Sequence, residues 1–77
     1  MDNTLTYQPL REIRLRGGVS VTRMAQVVGK SLPWCRNVEL GIGSVSRDDA
    51  ERLAQFFGTT PEDLFEEDQI RNEKKVA

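Results

Sequence analysis

Apolar residues recur along this chain at three- and four-residue spacing, with no run of strict alternation. Val21, Met24, Ala25 and Val28 fall at i, i+3, i+4 and i+7, and Ala50, Leu53, Ala54 and Phe57 repeat the same stripe. Such spacing gathers four apolar groups on one face of an α-helix. Punctuation marks the ends. Ser20 precedes the first stripe and Gly29 follows it; Ser46 precedes the second and Gly58 follows it. A serine hydroxyl satisfies an orphan N–H of the first turn, and glycine takes the left-handed conformation that closes the last. Ser46 with Asp49 three residues on is close to a capping box, with Asp where Glu or Gln is usual.

Three shorter segments carry the same grammar. Pro9 suits a first helical position, and Leu10 and Ile13 begin a stripe that ends at Gly17-Gly18. Ser31 caps a third helix with Leu32 and Pro33 in its first turn, Cys35 and Val38 facing inward, and an end near Gly41. Thr60-Pro61-Glu62-Asp63 sets cap, proline and first-turn acids in register for a last short helix, with Leu64 and Phe65 as its apolar residues. The pattern predicts an all-α domain of five short helices over residues 9–65, with no strand, preceded by an arm at 1–8. From Glu66 the composition turns polar, and residues 66–77 either extend the last helix or are disordered; Ile70 and Val76 are too few to decide.

Composition narrows the function. With 77 residues the chain holds one small domain. Histidine is absent and cysteine occurs once, which removes the Ser-His-Asp triad, the Cys-His dyad, histidine metal ligands and CxxC zinc sites. Cys35 falls on an inward face, where a free thiol packs as a small hydrophobe. The five carboxylates of PEDLFEED lack the glycine turn and ligand spacing of a calcium loop. We expect no enzyme activity, no metal and no cofactor. There is no apolar run that could span a bilayer, and MDNTLTYQPL has no basic n-region or apolar h-region, so the expected location is the cytoplasm.

Net charge is −1, but the distribution is lopsided. Residues 10–47 hold seven basic groups against two acidic, and residues 48–77 hold four against nine. A basic front and an acidic back favour approach of an anion to the front.

Two short helices joined by a turn at Gly29 outline a helix-turn-helix, with Ala25 small enough to let them cross closely. From Leu10 to Phe65 the chain resembles the Cro/Xre family of bacterial and phage helix-turn-helix regulators. The resemblance is carried by LREIR, VSVTRMAQVVGKS, WCRNVELG and AERLAQFFGTTPEDLF in that order. It implies a compact five-helix, lambda-repressor-like DNA-binding domain whose third helix enters the major groove. Carried over residue by residue, it implies an ion pair between Arg14 and Glu39. It sets Leu32, Pro33, Arg36 and Asn37 at base-facing positions, and Thr22, Arg23, Ser31, Trp34, Gly43 and Ser44 at phosphate-facing ones.

The chemistry agrees for Arg36, which can donate to guanine O6 and N7, and for Asn37, which can pair with adenine N6 and N7; Leu32 suits a thymine methyl. Two departures remove phosphate contacts. Val21 stands where the family usually has a polar residue, often glutamine, and Ile42-Gly43-Ser44-Val45 is neutral where cationic or polar residues are common.

The expected function is a sequence-specific transcriptional repressor, bacterial or encoded by a phage or mobile element, binding a palindromic double-stranded operator as a homodimer. A regulatory protein partner is compatible with so short a chain. The alternative is a protein-interaction module, antitoxin-like or regulator-binding, in which Val21, Leu32, Pro33 and Ile42 meet a protein groove in place of DNA.

Overall fold

In the computed structural model, which describes residues 7–71, three serines that precede apolar stripes each cap a helix. Ser20, Ser31 and Ser46 accept from the backbone N–H groups of Arg23, Trp34 and Asp49 at 3.0, 3.2 and 3.1 Å. The helices they begin are α2 (Val21–Val28), α3 (Leu32–Glu39) and α4 (Arg47–Phe57). A first helix, α1 (Pro9–Arg16), and a single-turn α5 (Pro61–Leu64) start at prolines. The N–H that proline lacks is one the first turn could not use. Gly29 and Gly58 close α2 and α4 at φ of 70° and 72°, a conformation in which a Cβ would be strained.

The apolar stripes meet in one core. Leu10 from α1, Met24 and Val28 from α2, Cys35 and Val38 from α3, Leu53 from α4 and Leu64 and Phe65 at the end of α5 are almost wholly buried. Burying a side chain of the Leu or Phe class contributes on the order of 1.5–3 kcal/mol. Helix α2 packs on α3 and α4, α4 packs on α5, and α1 closes the bundle against α3 and α5.

Three features depart from the expected pattern. A two-stranded parallel sheet joins β1 (Val45–Ser46) to β2 (Ile70–Arg71), pairing Val45 with Ile70 and Ser46 with Arg71. A two-residue strand has no alternation to detect. The segment after α5 is neither a helical extension nor a frayed end as far as residue 71. Phe65 turns extended at φ −134°, the Glu66 N–H donates to Gln8 Oε1 at 2.7 Å, and Glu67–Gln69 makes a 3-10 turn into β2. Residues 1–6 of the arm and 72–77 of the tail lie outside the described residues. Finally, Thr60 does not cap α5 with its side chain; Thr59 Oγ1 instead donates to the Asp63 carboxylate at 2.7 Å.

Candidate nucleic-acid interface

The turn between α2 and α3 is built by Ala25 and Gly29. The Ala25 carbonyl accepts from the N–H groups of Gly29 and Lys30 at 2.8 and 3.1 Å, so the chain reverses within two residues and reaches the Ser31 cap. Met24, Ala25 and Val28 then face Cys35 and Val38 across the crossing, with all five buried. What α3 buries decides what it shows. Pro33, Arg36 and Asn37 lie at i, i+3 and i+4 on its outer side and are exposed. Leu32 sits at the edge of that face, partly buried against the core.

A buried ion pair holds α3 in this orientation. Arg14 on α1 donates from Nε and Nη2 to the two Glu39 carboxylate oxygens at 2.5 and 3.1 Å, a bidentate arrangement. Its Nη1 donates to the Val19 carbonyl at 2.9 Å, so one guanidinium links α1, the turn into α2 and the end of α3. Gln8 adds a second tie, donating its backbone N–H to the Glu39 carbonyl at 2.7 Å. Pattern reading did not find Gln8 or the Val19 carbonyl. A polar residue before Pro9 marks a helix start, but nothing in the spacing links it to residues 39 and 66.

Cys35 lies at the back of α3. Burial pushes its thiol above the ordinary range, the Glu39 carboxylate adds to the rise, and Arg14 opposes it. The protonated thiol is therefore favoured and the residue is poorly suited to nucleophilic chemistry. Among the described residues no group of three or more Cys, Asp or Glu is placed to share a metal ion, and no helix is long and apolar enough to cross a membrane.

The cations divide into two sets. Arg16 pairs with Glu12, Lys30 with Asp49, Arg47 with Glu62 and Arg52 with Asp49. Arg11, Arg23 and Arg36 have no carboxylate partner among the described residues. Arg11 and Arg36 both border a depression of about 240 Å³ between α1, α2 and α3, and the Arg11 guanidinium stacks on the Tyr7 ring at 4.1 Å. Arg23 lies 5.8 Å from the centroid of the exposed Phe56 ring on α4.

The remaining candidate residues lie on α2, on α3 and in the loop that follows α3. Thr22 and Ser31 are exposed at the starts of α2 and α3. Trp34 is half-buried, with Lys30 Nζ 5.5 Å from its ring centroid. Gly43, at φ 78°, and Ser44 are exposed in the loop that follows α3, and Ser44 Oγ accepts from Arg71 Nη1 at 3.1 Å. Val21 and Leu32 both pack against the core, which leaves Pro33 and Ile42 as the exposed apolar residues of the four invoked for a protein groove.

A family model described as a helix-turn-helix domain matches residues 8–67, which takes in all five helices. No curated protein and no solved structure matches the chain.

Proposed function

The chain belongs to the helix-turn-helix domain family, a family of Cro/Xre-like DNA-binding domains, and on that premise we propose that it is a transcriptional repressor that binds a palindromic operator as a homodimer. It is a DNA-binding regulator in general terms. On the proposed reading it acts without catalysis, by occupying a promoter in the cytoplasm of a bacterial cell. The observation that carries the reading is the outer face of α3, where Arg36 and Asn37 are exposed while most of the other cations among the described residues have a carboxylate partner.

With α3 in the major groove, Arg36 reads guanine and Asn37 reads adenine, while Leu32 and Pro33 offer apolar contact at the helix tip. Thr22, Arg23, Ser31, Trp34, Gly43 and Ser44 hold the backbone through hydroxyl, guanidinium, indole or peptide N–H groups. The Arg14–Glu39 pair sets the angle at which α3 is presented. Two copies related by a two-fold axis place their α3 helices in successive major grooves, about 34 Å apart, and multiply the specificity of a single small domain.

Selection from random duplexes tests this. The expected product is a palindromic site whose affinity falls steeply with salt. Arg36→Ala should relax preference at one base position, by about 1–3 kcal/mol, whereas Arg23→Ala should weaken all sites alike. Failure to enrich any sequence at low salt, with a dimer established by light scattering, would overturn the reading.

A further inference from the structure

We propose that Arg71 is a DNA-phosphate contact, carried by the β1–β2 pairing from the acidic half of the sequence onto the loop that follows α3. The inference rests on the DNA-binding reading of that loop and adds to it a residue from outside the helix-turn-helix. Ile42, Gly43 and Ser44 provide no cation, although they lie in the loop that follows the helix that would lie in the groove. The fold supplies one from elsewhere. Val45 is buried and pairs with Ile70, itself packed against the core, so the register that sets Ser46 beside Arg71 is anchored on its apolar side. Arg71 is exposed, and its Nη1 donates to Ser44 Oγ at 3.1 Å.

That hydrogen bond has a chemical consequence. A hydroxyl whose oxygen accepts from a guanidinium keeps its own O–H to donate. Hydroxyl and cation therefore converge on one point, the combination that recognises a phosphate oxygen. The division of the sequence into a basic front and an acidic back counts Arg71 with the acidic half, whereas pairing across 25 residues sets it beside the loop that follows α3.

The test uses the full chain and a mixed-sequence duplex of roughly 20 base pairs, about two helical turns. Phosphate contacts do not depend on base sequence, so no operator is needed. Binding is measured across a salt series for the wild type, Arg71→Gln and Arg71→Lys, with thermal melts followed by Trp34 fluorescence to establish equal folding. The expected result is a salt slope shallower by about 0.9 for Arg71→Gln, with weakening that is the same on duplexes of different sequence, and recovery of the slope in Arg71→Lys. Wild-type slope and affinity in Arg71→Gln would overturn the assignment while leaving the DNA-binding reading intact. So would an Arg71→Lys variant as shallow as Arg71→Gln, because the charge would then not be what matters. A wild type that binds no duplex at low salt removes the DNA-binding reading itself, and this assignment with it.

Discussion

Arg14–Glu39 joins α1 to α3, and Arg47–Glu62 joins α4 to α5. Their closest approaches are alike, 2.5 and 2.9 Å, but the side chains of the first pair are 10% and 5% exposed and those of the second 40% and 59%. In the first region the side chains are almost closed off from solvent, both carboxylate oxygens are engaged, and a third bond runs from the guanidinium to the Val19 carbonyl. In the second, solvent competes for both partners and salt screens them. A buried pair carries a desolvation cost that offsets much of its attraction, so its main effect is to make one arrangement of helices the only one that satisfies both charges. The same two residue types thus define a geometry in one place and decorate a surface in the other.

The largest effect should come from breaking the buried pair on one side only. Glu39→Ala leaves the Arg14 guanidinium inside the protein without its partner, and urea denaturation should register a loss of about 3–5 kcal/mol. A smaller change is expected when both charges go. The double substitution Arg14→Met with Glu39→Leu should recover most of that stability, because replacing a buried pair by apolar groups of similar size is often neutral. It should nevertheless bind duplex DNA more weakly than the wild type, since α3 loses the bond that sets its angle. Equal DNA affinity in the double variant would remove the distinction between the two regions.

The smallest effect belongs to the exposed pair. Glu62→Gln should leave the thermal midpoint within error at neutral pH and moderate salt. The hydrogen bond from Arg47 holds the Glu62 carboxyl below the ordinary carboxylate range. Its contribution is therefore in place above that range and is lost as pH falls through the lowered value. A low-salt acid titration of stability should show the variant and wild type converging at the acid end. A large difference at neutral pH would mean that exposure is a poor guide to the weight of an ion pair here.

The same contrast explains what could be read from the chain. Caps at Ser20, Ser31 and Ser46, and the left-handed ends at Gly29 and Gly58, involve residues within one turn of each other, and they were legible as spacing. So was the outward position of Pro33, Arg36 and Asn37, which follows from a 3.6-residue period once Cys35 and Val38 are set inward. Leu32 was harder, since the edge of a helical face turns on which neighbour covers it. The β1–β2 pair, the Gln8 bonds to residues 39 and 66, and the Arg23–Phe56 contact join segments far apart in sequence and leave no local mark. The expected Thr60 cap fails for a local reason of another kind: the Asp63 N–H donates to the Thr60 carbonyl at 3.0 Å and not to its hydroxyl, while the Asp63 carboxylate accepts from Thr59 Oγ1.

Gln8 has one more consequence. Its side chain accepts from the Glu66 N–H at 2.7 Å, so the entry to the first helix and the exit from the last stand one hydrogen bond apart. A linker from the segment after Arg71 to the segment before Tyr7, with new ends cut at the turn around Gly58, should preserve every tie on α3 and the β1–β2 pairing while changing the order in which the ribosome delivers the helices. The recognition surface would then depend on these ties between segments and not on the order in which the segments are made.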